Sequence, residues 1–239
     1  IIHKKHHIIS VWPHVTAGNE HLVHHIILIH CPVGEQKEFS GSCNDPMKPA
    51  EAKKCSKSIG LLTMGGGAVI YPEEAGFPFG GPDFNPWVML EIHYNNVAKT
   101  VGLVDSSGFD VIVTPKLRRN DAGILEIGMI FGDANSIPPN QKRFAMSGYC
   151  TADCTGYFPE SGLNVFKSQL HSHLTTRKMW QSLYRDGVRV REINRDNHYS
   201  EHWQHLDTIR PVIKFMPGDV ITTTCLFDTT KRSGVVLVG

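Results

Sequence analysis

Apolar runs in this chain are short, rich in Val, Ile, Phe and Tyr, and closed by Gly, Pro, Asn or Asp, which is the punctuation of strands and turns. Val23–Cys31 (VHHIILIHC), Val88–Tyr94 (VMLEIHY), Phe109–Thr114 (FDVIVT) and Ile124–Phe131 (ILEIGMIF) read as strands. Arg143–Tyr149, Leu163–His173, Met179–Arg185, Thr208–Phe215 and Val220–Phe227 follow. Pro138-Pro139-Asn140, Arg185-Asp186-Gly187 and Pro217-Gly218-Asp219 carry turn chemistry. Only Pro49–Leu62 (PAEAKKCSKSIGLL) looks helical. The pattern predicts an all-β chain, most simply two antiparallel, jelly-roll-like β-sandwich domains. Its 239 residues suffice for both, and a boundary near Pro115–Asn120 divides them into 1–118 and 119–239.

Composition removes several classes of function. With 41% hydrophobic and 20% charged residues the chain is globular rather than disordered. A formal net charge of +1, without a block of Lys or Arg, makes nucleic acid and anionic membrane surfaces poor partners. No apolar run approaches the roughly 18 residues of a membrane span, and whether a tether exists elsewhere is left undetermined. The opening IIHKKHHIISVW carries no signal peptide and reads as if cut from something longer. Six cysteines, Cys31, Cys43, Cys55, Cys150, Cys154 and Cys225, are not arranged as paired C-x-x-C knuckles. That spacing suits disulfides in an oxidising compartment, here the secretory pathway, a vesicle lumen or the extracellular space. Buried free thiols are the other reading, and sequence alone cannot choose among the 15 possible pairings of six cysteines. No N-x-S/T sequon occurs in this stretch.

Histidine is the unusual count, 14 in the chain. In KSQLHSHLTTRK, His171 and His173 stand two apart, and on a strand such residues project the same way. Neutral imidazole is the commonest metal ligand near neutral pH, although H-x-H also fits a solvated pair beside a turn. In LVHHIILIHC, adjacent His24 and His25 reach one ion only at a bulge or a twisted strand end. His93, in LEIHYNN, shares a face with Glu91. Three histidines in the first half and two in the second predict two nitrogen-rich sites on separate domains. Imidazole-only sites suit copper, zinc, iron or nickel, and no H-E-x-x-H hydrolase motif is present. His3, His6 and His7 read as solvated at a frayed terminus, and His198, His202 and His205 as residents of a polar loop.

LVHHIILIHC, YPEEAGFPFGGP, LEIHYNN, DSSG, KLRRNDAGILEIG, IPP, GYCTADCT, SQLHSHLTTRK, DNHYS and PGDVITTTC follow one another in order. Their succession, from about His7 to Gly239, resembles the copper type II, ascorbate-dependent monooxygenases, closest to the amine-hydroxylating branch. The resemblance implies paired β-sandwiches across a water-filled cleft with one copper ion on each. His24, His25 and His93 match the ligands of the electron-transfer copper, and His171 and His173 match two ligands of the copper that binds dioxygen. The third ligand of the latter is a methionine in a Glu-Met-Cys motif that follows VVLVG. None of the seven methionines here occupies that place, which implies a piece of a longer enzyme. The resemblance also pairs Cys31 with Cys55 and Cys150 with Cys225, and leaves Cys43 and Cys154 without partners inside the chain.

The implied reaction uses O₂ and ascorbate to hydroxylate the benzylic carbon of a phenylethylamine such as dopamine or tyramine. A peptide-hydroxylating relative carries an arginine two residues before its H-x-H to grip a carboxylate. Gln169 stands there in this chain and cannot form a bidentate ionic pair. Glu126, in AGILEIG, stands where that relative is apolar and could hold a substrate ammonium; an outward-facing strand residue is the plainer reading. A monooxygenase relative with another substrate and a copper-binding module without turnover remain as alternatives. A homo-oligomer, if formed, would use regions outside this chain.

Overall fold

A computed structural model describes residues 3–34, 37–63, 66–84, 86–129 and 132–237. The chain is all-β, and it packs as two units, Ile1–Ile124 and Leu125–Gly239. The KLRRN segment, where the sequence suggested a boundary, is held by the first unit. Arg118 donates through its guanidinium to the carbonyls of Tyr71, Pro72 and Ala75, and its backbone N–H donates to Nδ1 of His7. His7 is therefore buried, at 1% exposure, and its Nε2 meets Asp121 at 2.8 Å. The expectation of a solvated, frayed His7 is thus corrected: it belongs to strand β1.

The first unit contains β1 (His6–His14), β2 (Val23–His30), β3 (Lys57–Leu62), β4 (Val69–Ile70), β5 (Ala75–Phe79), β6 (Val88–Tyr94), β7 (Gly108–Thr114) and β8 (Asn120–Asp121). One sheet runs β4-β1-β5-β8 with β7 also paired to β1, and a second runs β3-β2-β6. The two approach where Gly60 of β3 lies under Val11 of β1; a Cβ on Gly60 would sit 2.9 Å from the valine methyl. Ile8, Val11, Ile26, Leu28, Ile59 and Phe77 are buried. The helix expected over Pro49–Leu62 is replaced by one 3-10 turn, Ala52–Lys54, followed by β3. Two tertiary ties override the local helical composition: Cys55 is bridged to Cys31, and KSIGLL pairs with β2.

The second unit contains β9 (Ser136–Ile137), β10 (Phe144–Cys150), a four-residue helix Ala152–Thr155, β11 (Leu163–Gln169), β12 (Thr176–Arg185), β13 (Val188–Asp196), β14 (Leu206–Phe215), β15 (Val220–Phe227) and β16 (Val236–Leu237). A four-stranded antiparallel sheet, β10-β15-β12-β13, faces the β11–β14 ribbon across Leu183, Ile193, Ile209, Ile213, Phe215 and Ile221. Strand β15 (VITTTCLF) alternates strictly, burying Ile221, Thr223, Cys225 and Phe227. Burial of a side chain such as Phe227 is worth about 1.5–3 kcal/mol.

Two strand expectations are corrected. The described part of Ile124–Phe131, up to Met129, forms no strand, and the remainder lies outside the described residues. Ile127 and Met129 still pack into the core, and Thr223 donates to the Ile127 carbonyl. Strand β11 ends at Gln169, so His171 and His173 lie in the connection to β12 rather than within a strand.

The Cys31–Cys55 disulfide is present. In place of the expected Cys150–Cys225 bridge, Cys150 is joined to Cys154, and Cys225 is a buried free thiol. Strand register explains the difference. On the β10–β15 ladder Cys150 stands opposite Ile221, whereas Cys225 stands opposite Met146, which puts four residues of strand, about 13 Å, between the two cysteines. A disulfide needs Cα atoms within roughly 7 Å. Cys154 sits one turn beyond Cys150 on the short helix, with Cα atoms 5.3 Å apart.

Candidate metal centres

Strand β2 pairs with β6 so that His25 stands directly across from His93. The register shifts between Val23 and His25, which is the bulge needed for neighbouring histidines to face one way. The ring centroids of His24, His25 and His93 lie 4.9–5.2 Å apart, and one nitrogen from each falls within 4.8 Å of the others. Among the described residues this is the one group of three or more His, Cys, Asp or Glu that could hold a metal ion. Nδ1 of His24 and Nδ1 of His25 are 2.9 Å apart.

The strand ends are pinned around this cluster. Tyr94, next to His93, donates its hydroxyl to Asp105 at 2.8 Å, and the Asn95 N–H donates to the Leu22 carbonyl at 2.7 Å. Burial and the Asp105 carboxylate push the Tyr94 phenol up to about 12, so it keeps its proton as a donor. Burial alone would raise Asp105, but bonds from Asn19, Ser107 and Tyr94 hold its carboxyl well below the usual carboxylate range.

In the second unit His171 and His173 are exposed on either side of buried Ser172, so both rings turn outward, with centroids 4.8 Å apart. The same-side geometry expected of a strand is therefore reached without one. The middle residue is locked: its N–H donates to the Tyr199 hydroxyl at 2.8 Å, and that hydroxyl donates to its carbonyl at 2.6 Å. Ser172 and Thr176 hydroxyls meet at 2.6 Å. His171 Nδ1 lies 2.6 Å from Oε1 of Gln204. Burial and the neighbouring His171 lower the His173 pKa, partly offset by Glu201, which favours the neutral, ligating form.

Gln169 sits at the end of β11 with its side-chain amide donating to the Gln204 carbonyl at 3.2 Å, which ties it to the His171 neighbourhood. Glu126 is exposed on the irregular segment before Ile127. Tyr199 and Gln204 were missed by the sequence reading, which placed DNHYSEHWQHL on the surface. Nothing local marks them, since their targets lie about 30 residues earlier.

Two imidazole sets of this kind fit a redox-active transition metal: neutral nitrogen donors on rigid strands or a locked loop, without thiolate ligands. Comparison with known proteins identifies the family. The N-terminal domain of the copper type II ascorbate-dependent monooxygenases matches residues 1–101, and their C-terminal domain matches residues 120–239. The chain is 53% identical to a tyramine beta-hydroxylase of Caenorhabditis briggsae over 238 residues, covering 100% of this chain and 40% of that protein. It is 43% identical to the dopamine beta-hydroxylase of Bos taurus over 231 residues, covering 95% and 38%. It is 33% identical to the DBH-like monooxygenase protein 1 of Mus musculus over 237 residues, covering 96% and 39%. The chain thus spans about two fifths of the length of these relatives. With both family domains matched in order, the chain belongs to the copper type II ascorbate-dependent monooxygenase family.

Proposed function

We propose that the protein containing this chain is a copper- and ascorbate-dependent monooxygenase that hydroxylates the benzylic carbon of a phenylethylamine such as tyramine or dopamine. The observation that carries this reading is the convergence of His24, His25 and His93 on one point at the β2 bulge. Bound copper supplies one-electron redox chemistry and the activation of dioxygen, and the reaction consumes the amine, O₂, two electrons from ascorbate and two protons to give the β-hydroxylated amine and water.

The side chains do the rest. His24, His25 and His93 would hold the electron-transfer ion, one per chain. His171 and His173 would hold a second. The Tyr199 hydroxyl keeps the two outward imidazoles at a set separation by fixing Ser172 between them. Uncharged Gln169 offers no ionic partner for a peptide carboxylate, and exposed Glu126 is the proposed partner of a substrate ammonium. Operation in a secretory or extracellular compartment is consistent with the two disulfides.

The test is product formation by the full-length protein with copper, ascorbate and oxygen, offered tyramine or dopamine. Many turnovers of β-hydroxylated amine, lost in His93→Ala and in His171→Ala, are expected. A full-length protein that binds two coppers per chain and reduces them with ascorbate, yet forms no product from either amine, would refute the substrate assignment.

A further inference from the structure

We propose that Gln204 is the positioning residue for His171, and that Gln169 holds Gln204 in place, so that the two amides decide which ring nitrogen His171 presents to copper. The inference rests on the reading of His171 as a copper ligand.

The hydrogen bonds of Gln204 fix the orientation of its amide. It is buried, at 8% exposure, and both ends of its side chain are engaged. Nε2 donates to the Glu201 carbonyl at 2.8 Å, and Oε1 lies 2.6 Å from His171 Nδ1. Turning the amide over would set its oxygen against the Glu201 carbonyl, two acceptors facing each other, so this orientation is the one that satisfies both contacts. An amide oxygen can only accept. His171 Nδ1 must therefore carry the proton, and the lone pair sits on Nε2, the outward nitrogen. A ligating histidine that donates its remote N–H to a fixed acceptor has its tautomer and ring plane set before the metal arrives.

Gln169 completes the device. It stands two residues before His171, and its backbone pairs with Leu206, two residues after Gln204. Its side-chain amide reaches across to the Gln204 carbonyl at 3.2 Å. The residue expected to face substrate thus spends its amide nitrogen on the segment that carries the His171 clamp.

The experiment uses the full-length protein and its Gln204→Leu, Gln204→Glu, Gln169→Leu and His171→Ala variants. Copper affinity of each site is read by chelator competition. The remote imidazole nitrogen of bound Cu(II) is read by pulsed electron paramagnetic resonance. Gln204→Leu should weaken copper at the His171/His173 site by about 10- to 100-fold and alter the remote-nitrogen coupling, leaving the other site unchanged. Gln204→Glu, which still accepts the Nδ1 proton but sets a carboxylate oxygen where Nε2 donated to the Glu201 carbonyl, should lose part of the affinity yet keep the wild-type remote-nitrogen coupling, and Gln169→Leu should show a smaller loss in the direction of Gln204→Leu. The inference is overturned if Gln204→Leu keeps wild-type affinity and coupling, or if Gln204→Glu alters the remote-nitrogen coupling as Gln204→Leu does. Should His171→Ala retain the full copper complement, the ligand assignment itself has failed, an outcome distinct from both.

Discussion

Replacing Tyr199 by Phe removes one oxygen atom and tests how the H-S-H segment is held. The hydroxyl is buried, with Tyr199 at 5% exposure, and it satisfies both the N–H and the carbonyl of Ser172. Burial pushes its pKa up to about 12, so it remains a donor throughout the working pH range. In the variant both backbone groups lose their partner, while the ring keeps its place beside Leu170, Met179 and Phe227. An unsatisfied buried group costs about 1–3 kcal/mol, and limited water entry beside the exposed histidines lowers the sum to about 2–4 kcal/mol. For a unit of this size that is a fall of roughly 10 °C in the melting temperature. Differential scanning calorimetry of the full-length protein would read it, and chelator competition would show copper at the His171/His173 site weakened about tenfold or more. Tyr157→Phe is the control, since Tyr157 is 93% exposed, and it should change neither quantity. A Tyr199→Phe protein with wild-type melting and copper affinity would refute the claim that this hydroxyl templates the pair.

Other consequences are simpler to check. A Cβ on Gly148 would clash with the Gly128 carbonyl oxygen, a backbone atom, so Gly148→Ala should destabilise the second unit by about 1–3 kcal/mol or more in chemical denaturation. Removing the Cys31–Cys55 bridge, which closes 24 residues of chain, should cost the first unit about 3 kcal/mol in the chain-entropy picture, read as a lower melting temperature of the double serine variant. Buried Asp219 gives a pH signature. Burial alone would raise its carboxyl, but Arg185 at 2.7 Å and the Met216 N–H more than offset this and hold the pKa below the usual carboxylate value. A group with a lowered folded pKa adds stability above its unfolded value near pH 4, and that stability disappears as pH falls through the folded value. Asp219→Asn should therefore be less stable than wild type at pH 7, and the gap should close on acidification; a gap that is constant with pH would show that the ion pair contributes nothing.

What could be read from the sequence is what depends on period two, and what escaped depends on closure between distant segments. Val88–Tyr94 and Val220–Phe227 have the bounds expected of them, because their alternation and their turn residues are local. The bulge that His24-His25 required is present for the same reason: a pair of adjacent residues can be turned to one side only by breaking the ladder. At His171 and His173 the two rings do stand side by side, but not by the strand that was expected to place them. The strand stops at Gln169, and the rings share a side because Ser172 between them is drawn into the core by Tyr199 and Thr176. Alternation there comes from what the middle residue bonds to, not from a neighbouring strand. Tyr199 and Gln204 looked like surface because side chains that can satisfy a loop backbone are themselves polar, and polarity alone does not say which way they point. The same limit governs the cysteines. Cys150 could be assigned to Cys225 only by resemblance, and strand register, a relation between β10 and β15, removes that pairing within this chain. Polar residues in a loop that follows a histidine pair are therefore the place to look for the acceptors that orient it, and register is the first test of any disulfide proposed between strands.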